Sequence, residues 1–341
     1  MTEQTPKRRF PILREIDDHG PVFFLLLMAY GLVHYEAANV MPDRYLEAGI
    51  PVWKYALTAI FPAFWFVTYY YFRARNAQVK RPRLFFFCMA ALGIGLPILA
   101  YFGARPRHLT DHQIVVIYEY SQFVWLGLLV INALRKKGLA RAITFFGVCF
   151  LYGLTLEKGG IMLRFFGESH YQWYIGLNSS VYLPAPVATQ FGWCIMFYVA
   201  VWIAEFIGSR IKFLAGKPIL LALLATIVGV TLDLQIDPLA SLSGLWWKWD
   251  PRLPGWWLGV PFLNYAAWFS AFLPFCYAYF YYESKKDMTD WQRAYQILVR
   301  VPWMLPACIA LGAPLMLLYE GVRGPAFQIM LEFLKRVHPY A

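Results

Sequence analysis

The chain has 341 residues, of which 60% are hydrophobic, 19% aromatic and only 15% charged. Near-uncharged apolar runs of about 18 to 25 residues recur along it, the length that crosses a bilayer as a helix, so the composition predicts an all-α polytopic integral membrane protein. The formal net charge of +11 does not indicate nucleic-acid binding, because the basic residues form short clusters between apolar runs rather than one contiguous surface.

Nine apolar runs are predicted to span the membrane. The basic N-terminus followed by the first run resembles a signal peptide, but no small-residue cleavage site follows, so we expect a retained first helix. The fifth and seventh runs are the shortest. The predicted spans are 21–38, 52–72, 84–102, 113–134, 142–156, 186–207, 218–232, 257–282 and 301–319.

The distribution of lysine and arginine predicts the orientation. With a cytoplasmic N-terminus, 20 of the 31 Lys and Arg residues fall on the cytoplasmic side, as the positive-inside rule requires. The long aromatic loops 157–185 and 233–256 then lie on the outer face of what we expect to be a bacterial inner membrane. The last stretch, GPAFQIMLEFLKRVHPYA, mixes apolar residues at helical spacing with Lys335 and Arg336, which predicts an interfacial C-terminal helix.

An internal tandem repeat is indicated in the middle of the chain. Aligning the two outer loops gives a constant offset of 75 residues, and it brings Glu157 within one residue of Asp233. This predicts two helix, aromatic loop, helix units in parallel orientation, spans five and six (about 140–208) and spans seven and eight (about 213–283). The positions matched by this offset are Pro186 with Pro261, Trp193 with Trp268, Tyr171 with Trp246, and Tyr174 with Trp249.

Each unit of the repeat has the same physical content. An apolar helix ends in a carboxylate, an aromatic loop follows, and a proline starts the next helix, where its missing N–H is tolerated. We expect the two units to enclose a cavity near the outer leaflet. The predicted regions are a four-helix membrane region of unassigned role (1–139), the repeat-containing core (140–283), and a final helix with an interfacial tail (284–341).

The core resembles a known family. The stretch LDLQIDPLASLSGLWWKW followed by GVPFLNYAAWF, together with LEKGG, FFGESHYQWY and PAPVATQFGW, is similar to the CruF-type carotenoid biosynthesis family of membrane hydratases. The resemblance covers about residues 140–283. The resemblance implies addition of water to the terminal double bond of an acyclic carotenoid end group, with a carotenoid or other polyisoprenoid as substrate. Association with other enzymes of the pathway is compatible with it.

Three acids are the candidate catalytic residues: Glu157, Asp233 and Asp237. Hydration of an alkene needs a proton donor and a base that activates water, and burial in lipid favours a neutral carboxyl while a better-solvated neighbour stays ionised. Asp233 and Asp237 are four residues apart and share a helical face, with Pro238 compatible with a break right after them. The alternatives are that Asp237 caps a turn and that Glu157 marks the water interface beside Lys158.

Aromatic and polar residues are the candidate substrate-binding groups. Ring faces can stack along a polyene and stabilise a developing cation, although Trp and Tyr also concentrate at membrane interfaces for amphipathic reasons. Asn264 and Tyr265 are expected about two turns inside the eighth span, where they hold water or orient a carboxyl, or where Asn264 only joins helices. Thr189 and Gln190 occupy the matching place in the first unit. The candidate substrate-binding residues are Tyr171, Tyr174, Trp246, Trp249, Trp257, Asn264 and Tyr265.

Other polar signals are weaker. His108 and His112 are four apart beside Asp111, but a short loop without further histidines favours a solvated segment over a metal site. Glu119 lies well inside the fourth span and is a secondary candidate for a proton path. No phosphate-binding loop or dinucleotide fingerprint is present in the sequence, so neither a cofactor nor a metal is predicted.

Three functions remain compatible with the sequence. The leading one is the carotenoid hydratase, which needs only an acid, a base and water. A proton-initiated terpenoid cyclase or isomerase would use the same acid but exclude water. A non-catalytic carotenoid- or lipid-binding membrane subunit, or a transporter, would not need the acids to react; transport would distribute polar residues along a path through the bilayer, whereas here they cluster at one face.

Overall fold

The computed structural model describes residues 18–35, 52–75, 81–103, 110–162, 187–242 and 249–337. Most of these residues are helical. The helices are α1 (Gly20–Tyr35), α2 (Val52–Thr58), α3 (Ile60–Arg75), α4 (Pro82–Gly103), α5 (Asp111–Lys137), α6 (Leu139–Ile143), α7 (Cys149–Met162), α8 (Val187–Gly208), α9 (Pro218–Leu242), α10 (Phe262–Glu283), α11 (Asp290–Leu298), α12 (Val301–Glu320) and α13 (Pro325–Val337).

Two irregular features complete the described secondary structure. A π-helical turn, Thr144–Val148, joins α6 to α7, so the short fifth span of the sequence analysis belongs to one longer helical segment. A two-residue strand β2 (Val260–Pro261) pairs antiparallel with β1 (Gly255–Trp257) immediately before α10. The helix at the predicted eighth span therefore starts at Phe262 rather than at Trp257, so the predicted start of this helix was wrong.

The protein is an all-α membrane protein. Five helical segments of the described chain are long and apolar enough to cross a membrane; they are Pro82–Gly103, Leu139–Gly159, Thr189–Gly208, Pro218–Pro238 and Val301–Glu320. Helices also lie at the other four predicted spans. The tyrosines of α10 lower its mean hydropathy. Helix α3 has only 16 residues, which makes its apolar segment short. The total of nine spans stays a prediction.

Helix α8 forms the centre of the bundle. Nearly every residue from Trp193 to Ile207 is buried, as expected for a helix that is apolar all round its circumference. Helices α7, α9 and α10 pack around it, and side chains of α1, α3 and α5 enter the same hydrophobic cluster. The N-terminal helices thus pack directly on the segment that carries the candidate acids. For example, the Trp65 indole N–H of α3 donates to the Thr231 hydroxyl of α9 at 2.8 Å.

The ends of α6, α10 and α11 are joined by an ion-pair network. Arg141 contacts two carboxylates. Its Nε and Nη2 each donate to Glu283 at 2.8 Å, and its Nη1 donates to Asp290 at 2.8 Å. Arg293 donates to the other Asp290 oxygen at 2.9 Å. A two-pronged arginine–carboxylate contact has well-defined geometry and is stronger than a simple ion pair, so this network fixes the helix ends opposite the candidate acids.

Replacing Arg141 by glutamine is expected to lower the free energy of unfolding by about 1.5–3 kcal/mol, because charged hydrogen bonds are lost and Glu283 stays partly buried. The matched control is Arg252→Gln. Arg252 also contacts two carboxylates, Asp250 and Glu332, but it is 49% exposed against 23% for Arg141, so the change should be about 1 kcal/mol or less. Unfolding of both variants in lipid nanodiscs measures the difference; equal losses would contradict the structural role of Arg141.

Candidate active site

The three candidate acids lie close together in the described part of the chain. Glu157 is on α7, and Asp233 and Asp237 are on α9. Their side chains are 9%, 0% and 3% exposed, and Glu157 interacts electrostatically with both aspartates, which also interact with each other. The acid of the first predicted repeat unit therefore lies beside the acids of the second, and none of the three faces bulk solvent.

Helix α9 does not end where the sequence indicated. The seventh span was predicted to end at residue 232, but α9 continues to Leu242 and passes through Pro238. Pro238 has no N–H for the carbonyl of Leu234, four residues earlier. The indole N–H of Trp257 donates to that carbonyl at 2.9 Å and replaces the missing bond. Asp233 and Asp237 therefore stay on one helical face, and Asp237 does not cap a turn.

The indole of Trp257 thus has a structural role. Trp257 lies on β1, where its N–H is used by the α9 backbone, and its ring packs edge-on against Phe61 with centroids 6.0 Å apart. This position explains how the short β-hairpin supports the acid-bearing end of α9. A direct contact between Trp257 and substrate stays a prediction.

Asp233 is held by the first turn of α10. The Asn264 side-chain N–H donates to Asp233 Oδ2 at 2.6 Å, and Asn264 is itself only 5% exposed. The other oxygen, Oδ1, has no hydrogen-bond partner among the described residues. Because α10 begins at Phe262, Asn264 lies in its first turn, and the sequence-based placement two turns inside was wrong. This contact fixes the Asp233 carboxyl and also joins α10 to α9, so the roles that the sequence left open for Asn264 stay predictions.

Glu157 is held by α8. The Trp193 indole N–H donates to Glu157 Oε1 at 2.7 Å, while the neighbouring Lys158 is exposed. Helix α7 continues five residues past Glu157 to Met162. The carboxyl therefore points into the bundle, and it does not mark the water interface as the alternative interpretation proposed.

Stacked aromatic rings link α8 to α10 directly beneath these acids. Trp193 stacks on Trp268 with ring centroids 4.5 Å apart, and Phe197 stacks on Phe272 at 4.0 Å with an interplanar angle of 13°. Both pairs join residues 75 positions apart in the chain, the offset of the sequence alignment. The rings are rigid and closely packed, so they fix the position of the Trp193 donor.

Tyr265 and Trp249 border the aspartates. Tyr265 is buried and interacts electrostatically with Asp233 and Asp237, and its hydroxyl has no hydrogen-bond partner in the described ranges. The indole of Trp249 approaches the Asp237 carboxyl. A polar hydroxyl and an indole therefore lie next to the acid pair, where a substrate or water molecule could use them.

Some predicted site residues are not placed beside the acids. Tyr171, Tyr174 and Trp246 lie outside the described residues, as does His108. Glu119 is buried on α5 and stays a secondary candidate. Within the described ranges, no group of three or more His, Cys, Asp or Glu side chains is arranged to hold a metal ion.

Two buried glutamines, one on α8 and one on α9, carry little signal in the sequence. Gln190 and Gln235 are both completely buried, and neither amide has a hydrogen-bond partner among the described residues. The sequence indicates Gln190 only as the counterpart of the Asn264–Tyr265 pair, and it gives no signal for Gln235. A single glutamine in an apolar run is noticeable only as a polar interruption, and the sequence does not show which face is buried.

The arrangement is suited to proton transfer in a water-poor environment. Two aspartates share one buried helix face, one of them accepts an amide N–H, and a third carboxyl approaches from another helix. Like charges this close are costly to bury together, so such sites favour carboxyls in different protonation states. A division of this kind would provide an acid and a base within one site.

Comparison with known proteins gives one match. Residues 119–330, more than half of the chain, match the family model described as carotenoid biosynthesis protein, and this range contains all three acids and extends beyond residues 140–283 on both sides. Neither a search of curated proteins nor a search of solved structures gave a match. The match and the buried site within it lead to the same conclusion: this chain belongs to the carotenoid biosynthesis protein family.

Proposed function

We propose that this protein adds water to the terminal double bond of an acyclic carotenoid end group by acid–base catalysis. The observation that supports this most is the meeting of Glu157, Asp233 and Asp237 in a buried site within a membrane-embedded bundle. Family membership gives the role in carotenoid biosynthesis. The specific reaction is inferred from what three buried carboxyls can do to an alkene.

The first step is proton transfer to the alkene. Asn264 donates to Asp233, and an N–H donor stabilises the ionised form of a carboxyl. Asp237, on the same helix face, is then the neutral partner and the proton donor. Its proton adds to the CH carbon of the terminal double bond, the π electrons form the new C–H bond, and the neighbouring carbon becomes a tertiary cation.

The second step is capture of the cation by water. A water oxygen forms the C–O bond, and the extra proton passes to an ionised carboxyl. Glu157 is the base in this proposal, because it accepts the Trp193 N–H and approaches from the opposite unit. Asp237 has lost one proton and Glu157 has gained one, so exchange of a proton between them restores the site.

The surrounding protein supports a buried end group. Tyr265 and Trp249 border the acids, and aromatic faces stabilise a cation by about 1–2 kcal/mol when water is excluded. We further propose that the two helix pairs are a tandem repeat within nine spans, which the stacked 75-residue pairs favour. The basic clusters at the Arg141 end favour a cytoplasmic position for that end, and we therefore propose that the acids lie near the outer leaflet.

A proton-initiated cyclase or isomerase is the second candidate. It is favoured by the close aromatic packing of Trp193, Trp268 and Phe272 below the acids, which would protect a cation from water. In that reaction the cation loses a proton and the product keeps the mass of the substrate. A hydratase product has the mass of one added water.

The test is conversion of an acyclic carotenoid by membranes that contain the protein. Lycopene incubated with such membranes should give a product heavier by one water in mass spectrometry, while membranes without the protein give none. A rearranged product of unchanged mass would favour the isomerase. Absence of any product from lycopene and other acyclic carotenoids would leave binding without catalysis.

Loss of the Trp193 donor should slow hydration. Trp193→Phe keeps the stacked ring but removes the N–H to Glu157, and loss of a hydrogen bond to a charged group is expected to lower the rate about tenfold or more. Trp268→Phe is the control, because it alters the other ring of the same stacked pair. Initial rates of hydrate formation measure both; equal rates in the two variants would mean that the Trp193 N–H does not support Glu157.

A further inference from the structure

Gln190 of α8 is a buried polar residue for which the proposed acid–base steps give no role. Its side chain has 0% exposure, and neither Oε1 nor Nε2 has a hydrogen-bond partner among the described residues. Leaving a buried amide unsatisfied costs about 1–3 kcal/mol per group. Buried polar groups without a protein partner usually bind water, so a ligand with hydrogen-bonding capacity is expected there.

The backbone packing places Gln190 beside Glu157. A methyl group added at Gly153 of α7 would lie 3.1 Å from Gln190 Oε1 and 3.1 Å from Trp193 Cβ. Gly153 and Glu157 are four residues apart on α7, and Gln190 and Trp193 are three apart on α8, so each pair shares one helical face. Gln190 therefore lies on the face of α8 that holds Glu157, where α7 and α8 come closest.

We propose that Gln190 binds the water molecule that is added to the substrate. This inference rests on the proposed hydratase function and names the group that positions the nucleophile. The amide oxygen accepts one O–H of the water, Glu157 accepts the other, and an oxygen lone pair is left for the cation. As the C–O bond forms, the O–H bond to Glu157 breaks and its proton moves to the carboxylate.

The chain contains a matched control for this role. Gln235 of α9 is also completely buried, and its amide likewise has no partner within the described ranges. Gln235 is two residues after Asp233, so the two side chains point about 200° apart around α9. It shares its face with Thr231, which accepts the Trp65 N–H of α3. Gln235 thus has the same chemistry and burial but lies on the face away from Asn264.

The first test compares Gln190→Leu with Gln235→Leu in the full-length protein in nanodiscs. Misplacing the reacting water should lower hydrate formation about 100-fold in Gln190→Leu, with carotenoid binding retained, as seen in the visible absorption spectrum. A larger share of the product should instead have the mass of the substrate and a shifted double bond, because the cation then loses a proton without adding water. Gln235→Leu should remain within about threefold of the wild type, since its removal changes only packing and desolvation. Equal hydrate yields from the two variants would overturn the proposal.

The second test does not depend on turnover. Brief X-ray radiolysis converts bound water to hydroxyl radicals, which oxidise side chains beside it, and Trp193 is a reactive residue next to Gln190. Gln190→Leu should reduce oxidation of Trp193 at least threefold, and Gln235→Leu should leave it unchanged. If the wild type fails to hydrate lycopene but Trp193 oxidation still falls in Gln190→Leu, the water site stands and the hydratase proposal fails. Unchanged oxidation of Trp193 would overturn the water site.

Discussion

Asp233→Asn is expected to lower the rate of carotenoid hydration about 1000-fold, because it removes the negative neighbour that keeps Asp237 protonated, and proton donation by a positioned carboxyl contributes two to four orders of magnitude. The substitution keeps the shape of the side chain. It replaces the carboxylate that accepts the Asn264 N–H at 2.6 Å with an amide that cannot hold the negative charge. Without the negative charge of Asp233, ionisation of Asp237 is no longer opposed by its neighbour, and Asp237 loses the proton that it donates to the alkene.

The control for this prediction is Asp250→Asn. Asp250 lies between α9 and β1, where the Arg252 guanidinium holds the pKa of its carboxyl below the usual range; Arg252 is 49% exposed, although Asp250 itself is only 13% exposed. Its replacement should leave hydration within about twofold of the wild type, since an ion pair with an exposed partner contributes about 1 kcal/mol or less. Rates from purified protein in nanodiscs, normalised to folded protein, make the comparison. Activity of Asp233→Asn near that of Asp250→Asn would remove Asp233 from the mechanism.

Gly229→Ala is expected to disturb the packing of α9 on α10 by the addition of a single methyl group. A Cβ at Gly229 of α9 would lie 2.4 Å from Cε1 of Phe272 on α10. The ring has little room to move, because it stacks on Phe197 at 4.0 Å and on Trp268 at 5.4 Å. Overpacking of this kind costs about 1–3 kcal/mol, and α9 must shift away from α10 to accept it.

That shift also affects the acids. Gly229 lies four residues before Asp233 on the same face of α9, so separation of the helices lengthens the Asp233–Asn264 contact. We expect lower thermal stability and lower hydration activity together. Gly127→Ala in α5 is the control, since nothing lies within 4 Å of a methyl group there; it should be neutral or slightly stabilising through helix propensity. Similar melting temperatures for the two variants would contradict the close α9–α10 packing.

The positions of the helices follow from the apolar runs, but their ends do not. The seventh span is predicted to end at residue 232, where the apolar run reaches Asp233, and Pro238 is compatible with a break soon after. Helix α9 continues because the Trp257 indole donates to the carbonyl that Pro238 leaves unpaired. Trp257 lies 23 residues after Leu234, the residue whose carbonyl it contacts, so no local pattern could have indicated the contact.

The same distinction applies to the site. The acids were predicted from the sequence because a carboxylate follows the apolar run in each of the two aligned units and hydration needs an acid and a base, and the structure buries all three. The hydrogen-bond partners of the acids could not be predicted in this way. Trp193, which donates to Glu157, is 36 residues away in the chain, and their contact depends on how α7 and α8 pack. The sequence leaves three roles open for Asn264, namely holding water, orienting a carboxyl or only joining helices, and its contact with Asp233 on α9 is compatible with the last two.

The most direct measurement is the fate of solvent atoms in the product. When the protein converts an acyclic carotenoid in D₂O enriched in ¹⁸O, the proposed mechanism predicts one ¹⁸O on the tertiary carbon and one deuterium on the adjacent carbon. Both labels should be lost in Asp233→Asn. Deuterium without ¹⁸O would show a cation that loses a proton instead of adding water, and a product without either label would contradict catalysis by the buried acids.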